Sequence, residues 1–149
     1  MPTEKRPLPV DFAEFIRLLN SKKVKYFILG GWAVNLYANP RATGDIDFLI
    51  SIEEKNVDKV LDVLKEFGMK NVPRKYFQEK GNVVRMGFPP TKIEILTSAS
   101  GIEFDSCYKR RKTVKVDDIR MHFISKADLM KNKKAAGRMQ DLADLKALE

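Results

Sequence analysis

Apolar positions along this chain recur with two periods, one helical and one of strands. Phe12, Phe15, Ile16 and Leu19 fall at i, i+3, i+4, i+7, which predicts a first helix ending near Lys22 and opened by a capping box of Asp11 and Glu14. The run Tyr26-Phe27-Ile28-Leu29 predicts a strand, closed by Gly30-Gly31 and followed by a short helix to about Ala38. Pro40 and Gly44 keep the next segment, from Asn39 to Gly44, an irregular loop. Asp45-Ile46-Asp47 then heads a second strand through Phe48-Leu49-Ile50. Ser51 and Glu54 form a second capping box before a helix with an apolar stripe of Val57, Val60, Leu61 and Leu64 and a stop at Gly68.

In the second half, Asn82 to Phe88 and Lys92 to Leu96 read as two strands joined across Pro89-Pro90, a link that rules out a two-residue primed turn. Lys92-Ile93-Glu94-Ile95-Leu96 alternates, with Ile93 and Ile95 on one face and Glu94 on the other. Thr113 to Val116 and Arg120 to Ile124 suggest two shorter strands paired around Asp117-Asp118. Ser125 and Asp128 cap a helix, and Gly137 separates it from a last one carrying Leu142, Leu145 and Leu148. No repeat or low-complexity segment is present.

The length of 149 residues suits a single domain over 1–149, burying roughly 68–70% of its unfolded surface. No stretch approaches the ~20 apolar residues of a membrane span, and no apolar leader core follows Met1-Pro2-Thr3-Glu4-Lys5-Arg6, so a cytoplasmic protein without a membrane partner is expected. The only cysteine, Cys107, excludes an intramolecular disulfide and reads as a half-buried thiol. A formal net charge of +8 favours polyanionic partners, although it serves solubility equally.

The candidate chemistry lies between the first two strands. Gly30 and Gly31 stand where a strand ends and a helix begins, so backbone N–H groups there can face a phosphate. Residues two apart on a strand share a face, about 6.6 Å from each other, so Asp45 and Asp47 can converge on one divalent cation or a pair. Leu49 shares their side, and Ile46, Phe48 and Ile50 point to the other. This combination suits a nucleoside triphosphate with Mg²⁺. Each motif alone is common in turns and on acidic surfaces; their order and their strand patterns together give the functional reading. Glu94 is the candidate third carboxylate, and it reads equally as one solvent-facing residue of a half-covered strand.

Gly30-Gly31-Trp32-Ala33, Arg41-x-Thr43-x-Asp45-Ile46-Asp47 and Ile93-Glu94-Ile95-Leu96-Thr97 resemble the signature of the nucleotidyltransferase superfamily that includes polymerase beta. Ser125-x-x-Asp128-Leu129-Met130 and Lys133-x-x-Ala136-Gly137-Arg138-x-x-Asp141-Leu142-x-Asp144 are similar to the tail of small prokaryotic members, among them nucleotidyltransferase halves of toxin–antitoxin and abortive-infection systems. The resemblance implies an α/β (α+β) fold: one mixed sheet, helices packed mainly on one side, a C-terminal helical tail, and a site in a groove at the glycine turn. It implies transfer of a nucleoside monophosphate to an acceptor hydroxyl with release of pyrophosphate. Asp45, Asp47 and Glu94 would be catalytic and hold two Mg²⁺ ions, with Glu94 helping to deprotonate the acceptor. Gly30, Gly31, Arg41, Thr43 and Lys133 would bind the triphosphate. The pattern departs twice from the common one. The usual serine of the glycine turn is absent, which removes a hydroxyl contact, and the third acid is glutamate, longer than aspartate by a methylene.

Expected partners are a nucleoside triphosphate and an acceptor that is tRNA or another RNA, a partner protein or a small molecule. Against the small molecule stands the larger substrate region usual in drug-modifying relatives. A nucleotide- or RNA-binding module without chemistry is the alternative from another class. Lys109-Arg110-Arg111-Lys112, beside Tyr108 and followed by Lys115, is the densest basic stretch and a candidate for a nucleic-acid backbone. Lys131, Lys133, Lys134 and Arg138 read equally as a solvated helix face, with Asp141 and Asp144 as local partners. His122 reads as structural, and Trp32 as a core anchor.

Overall fold

Six strands form one mixed sheet in the order β3-β4-β2-β1-β6-β5. The computed structural model describes residues 8–149; the N-terminal segment read above for a leader lies outside them. The strands are β1 (Tyr26–Leu29), β2 (Asp45–Ile50), β3 (Val83–Met86), β4 (Lys92–Leu96), β5 (Lys112–Val116) and β6 (Ile119–Phe123). The helices are α1 (Val10–Ser21), α2 (Gly30–Tyr37), α3 (Glu54–Phe67), α4 (Phe104–Lys109), α5 (Lys126–Ala136) and α6 (Met139–Leu148). The β2/β4 and β1/β6 pairs are parallel, and the others antiparallel.

Register explains how both sheet faces are used. Tyr26 pairs with Ile50 and Ile28 with Phe48 on one face, whereas Phe27 pairs with Leu49 and Leu29 with Asp47 on the other. On the first face, Phe15 of α1 meets Phe48 edge-on at 5.2 Å and Phe67 of α3 at 5.1 Å. On the second, Phe104 of α4 stacks on Phe27 at 5.2 Å. Helices thus cover both faces rather than mainly one, because all four residues of β1 are buried and an apolar strand of that kind needs cover on each side.

Helix boundaries follow backbone geometry more than the expected capping boxes. Pro9 precedes α1 and its carbonyl accepts from the Ala13 N–H at 2.9 Å, so Asp11 sits inside the first turn instead of capping it. Phe12, Phe15, Ile16 and Leu19 are all buried, as their spacing predicts. Glu53, not Ser51, occupies the cap position of α3. The link to the sheet is made by Asn56, whose amide donates to the Ser51 and Lys25 carbonyls (2.8 and 3.1 Å) and accepts from the Lys25 N–H (2.7 Å). Val63 joins Val57, Val60 and Leu64 in the buried stripe, and Leu61 is only half-buried. Gly68 ends α3 at φ 107°, a left-handed position suited to glycine. Asp117 and Asp118 both take positive φ in the β5–β6 hairpin, the two-residue turn its strands require. At α5, Ser125 Oγ accepts from the Asp128 N–H at 3.1 Å, as the sequence predicts.

The last helix treats its three leucines unequally. α6 buries Asp141, Asp144 and Leu148 and leaves Leu142 half exposed.

Candidate active site

The parallel pairing of β2 with β4 sets Asp47 opposite Glu94 and Asp45 opposite Lys92, all on the Phe27 face of the sheet. One carboxylate oxygen from each of Asp45, Asp47 and Glu94 lies within 4.8 Å of the others. Asp47 Oδ1 is buried and no hydrogen-bond donor reaches it. Asp47 is pushed well above the ordinary carboxylate range, first by burial, then by the proton it shares with Glu94 and the charges of Asp45 and Glu94. Asp45 is raised by burial and by Glu94. Glu94 moves the other way: burial opposes its charge, but hydrogen bonds from Asp47 and Arg85 and the charge of Lys92 outweigh it. Three converging acids with an orphaned oxygen form a donor set of the hard, all-oxygen kind that suits a divalent cation such as Mg²⁺.

Two cations at the sheet edge attend these acids. Arg85 of β3 faces Glu94 in register and donates from Nε to its Oε2 at 2.8 Å. Lys92 Nζ lies 3.5 Å from the same oxygen and 3.8 Å from Asp45 Oδ2. Neither role is legible in the sequence, because a cross-strand neighbour is set by register and cannot be read locally.

The glycine turn is fitted to the acids. Gly30 has φ +70°, and a methyl group on it would collide with Asp47 Oδ2. A methyl group on Gly31 would lie 2.6 Å from Thr43 Oγ1, so the 41–44 loop packs directly on the turn. Thr43 Oγ1 donates to the Asp45 carbonyl at 3.1 Å. Asn35 of α2 holds the loop, its amide donating to the Arg41 carbonyl and its oxygen accepting from the Arg41 N–H, both at 2.8 Å.

α5 and α6 contribute an ionic network centred on buried Lys133, Asp141 and Asp144. Arg41 donates to both oxygens of Asp144, each at 2.9 Å. Lys133, 5% exposed, lies 3.0 Å from Asp144 and 3.4 Å from Asp141. Arg138 donates from Nε to Asp141 at 2.6 Å. Lys133 and Asp141 are thus inside the domain and not on a solvated face. The triad, the glycines, Arg41, Thr43, Lys133 and Arg138 line one cleft of about 930 Å³.

A family model described as a nucleotidyltransferase of unknown function, DUF6036, matches residues 10–149. The chain belongs to this family. No curated protein matches it in sequence. Among solved structures, an antigenic nucleotidyltransferase-like protein from Paracoccidioides brasiliensis is similar at 18% identity and TM-score 0.56, over 96% of this chain and 76% of that one. The lincomycin-bound lincosamide antibiotic adenylyltransferase LnuA is similar at 18% identity and TM-score 0.57, over 97% and 98%. ANT(2″)-Ia in complex with adenylyl-2″-tobramycin is similar at 11% identity and TM-score 0.58, over 92% and 84%. These likenesses show the nucleotidyltransferase fold. The match covers nearly the whole of LnuA, so that adenylyltransferase has little chain beyond the part shared with this one.

Within this DUF6036 nucleotidyltransferase, the remaining candidates find plain roles. The basic run straddles the end of α4 and the start of β5. Arg110 pairs with both oxygens of buried Asp128 at 2.9 and 3.0 Å, and the Arg111 guanidinium lies 3.8 Å over the Tyr108 ring, so its two central cations are engaged. His122 Nδ1 is 2.8 Å from Thr113 Oγ1, and burial first, then Arg111 and Arg120, lower its pKa. Trp32 packs edge-on against Phe12 at 5.6 Å. Cys107 is buried rather than half-buried, because α4 presses its inner side onto the sheet. Among the described residues no helix is long and apolar enough to cross a membrane.

Proposed function

We propose that this nucleotidyltransferase moves a nucleoside monophosphate from a nucleoside triphosphate to an acceptor hydroxyl, with two Mg²⁺ ions held by Asp45, Asp47 and Glu94. The observation that carries the reading is the buried, donorless Asp47 Oδ1 inside a cluster of three carboxylates spanning 4.8 Å. Divalent cations bound there would offset charge on the α-phosphate and the departing pyrophosphate and ease ionisation of the acceptor.

The chain's own groups supply the rest. Backbone N–H groups at Gly30 and Gly31 face the β- and γ-phosphates, with Arg41, Lys133 and Arg138 lining the same cleft. Glu94, kept ionised by hydrogen bonds from Asp47 and Arg85 and by the charge of Lys92, takes the acceptor proton. The acceptor oxygen bonds to the α-phosphorus, the bond to the α,β-bridging oxygen breaks, and pyrophosphate leaves.

The test mixes protein with Mg²⁺, each α-phosphate-labelled nucleoside triphosphate in turn, total tRNA and cell lysate, beside the Asp47→Ala variant. Label should enter RNA, protein or a small molecule only with Asp47 intact, the variant falling by roughly 10²–10³-fold or more. Full activity in Asp47→Ala would sink the assignment. Mg²⁺-dependent triphosphate binding with no transfer would instead identify a binding module.

A further inference from the structure

Seven large apolar side chains are exposed among the described residues, and four of them, Met69, Tyr76, Val83 and Phe88, fall in the stretch 69–88. Between Met69 and Lys92 stand Lys70, Arg74, Lys75, Lys80, Arg85 and Lys92 against one acid, Glu79. Arg74 is tied to Asp58, and Arg85 and Lys92 to the triad. Among the described residues Lys70, Lys75 and Lys80 form no ion pair, and Lys75 Nζ lies 5.7 Å from the Tyr76 ring centre.

The topology brings this stretch to the catalytic acids. β3 is an edge strand, and its cleft-facing residues Val83 and Arg85 pair with Leu96 and Glu94. Asn82 Nδ2 donates to the Tyr76 carbonyl at 3.1 Å, which fixes Tyr76 at the start of the edge. At its other end Phe88, 83% exposed, adjoins Pro89, which packs against Gly44 immediately before Asp45. Glu94, paired with Arg85, lies along the edge strand Val83–Met86, between Tyr76 before it in the chain and Phe88 after it. Exposed rings, spaced cations and an open strip are the features that hold single-stranded nucleic acid, where bases stack and phosphates meet lysines.

We propose that the acceptor is a single-stranded RNA end, laid along the β3 edge with bases on Phe88 and Tyr76, phosphates on Lys75 and Lys80, and its terminal hydroxyl at Glu94. DNA keeps its ends paired in a duplex, whereas RNA offers such ends freely. The inference rests on the transferase reading for its chemistry, not for its binding surface.

The experiment follows a fluorescent 12-nucleotide mixed-sequence RNA by anisotropy over a salt series, with the full chain and no triphosphate. Lys75→Ala/Lys80→Ala should reduce the log–log salt slope by about 1.4, two cations at ~0.7 each. Phe88→Ala should weaken binding roughly 5- to 150-fold, the range for losing one stacked base, at an unchanged slope. A duplex of the same length should bind more weakly than the single strand. A Lys109→Ala/Lys112→Ala control by β5, at the opposite edge of the sheet, should leave the slope alone. No binding, wild-type behaviour of the edge variants, equal duplex affinity, or a slope carried by the control would overturn the surface. Transfer to protein or a small molecule but not to RNA would overturn it while leaving the transferase intact. RNA binding that responds to the edge variants, with no transfer to any acceptor, would uphold the surface and sink the transferase.

Discussion

Two pairs of aspartates, Asp45 and Asp47 on β2 and Asp141 and Asp144 on α6, respond to the same interior in opposite ways. Asp141 and Asp144 are 1% and 2% exposed, yet both are held below the ordinary carboxylate range: burial alone would raise them, but hydrogen bonds from Arg138 to Asp141, and from Arg41 and Lys133 to Asp144, outweigh it. Asp45 is more open, at 28% of its side chain, and Asp47 keeps a donorless oxygen, yet both are raised. Partners, not depth, decide the charge state. The helical wall has two acids among three cations, so both of its carboxylates are fully paired. On the sheet wall, Lys92 stays 3.8 Å from Asp45 and Arg85 reaches only Glu94, so that set calls for a further cation.

The largest effect should come from opening the fully paired set. Asp144→Ala leaves the Arg41 guanidinium and part of the Lys133 charge without their carboxylate in a buried place, which costs about 3–5 kcal/mol. At ~2–4 °C per kcal/mol the melting temperature should fall by roughly 6–20 °C. Asp144 ties down the Arg41 side chain of the loop that packs on Gly31, so affinity for the triphosphate should weaken in whatever fraction stays folded. Thermal melts of the variant beside wild type decide the matter; an unchanged midpoint would show that the network is not what closes the domain.

The second effect separates the two sets by pH. The folded pKa of Asp47 is raised, so between the ordinary carboxylate value and that raised value the folded state binds more protons than the unfolded one. Stability in the absence of divalent metal therefore falls as pH rises through that window, by at most about 1.4 kcal/mol per pH unit. Asp141 and Asp144 have the opposite sign: their contribution is present above the unfolded value and is lost as pH falls through their depressed folded values. Urea midpoints at several pH values should decline toward neutrality in metal-free wild type and decline less in Asp47→Asn. Mg²⁺ should restore the wild type alone. A flat metal-free profile would remove the contrast.

The two sets also differ in how far sequence could reach them. Asp45 and Asp47 were legible because a strand's two-residue period is local, and Gly30-Gly31 because a left-handed turn selects its residues. Glu94 was legible as a candidate from its alternating strand, but Arg85 beside it was not, since only the β3–β4 register pairs them. Lys133 stood out by its place in a familiar tail, yet its burial depends on Asp141 and Asp144 turning inward, and Asp144 is held by Arg41, 103 residues away. α4 spans six residues, too few to show a helical period.

The smallest effect tests the helix that carries the fully paired set. Period alone assigns Leu142, Leu145 and Leu148 to the inner side of α6, but a helix that buries Asp141 and Asp144 can bury only one end of that series, Leu148. Leu142 is 50% exposed and Met139 on the same turn 89%. Leu142→Ser should therefore shift stability by less than about 0.5 kcal/mol, as for an ordinary surface site. Leu148→Ala should cost about 2–5 kcal/mol by leaving a cavity. Both are read from urea unfolding of the full chain. Equal losses would mean that α6 turns its leucines inward, and a helix rotated that far could not present Asp144 to Arg41, so the fully paired wall would fall with it.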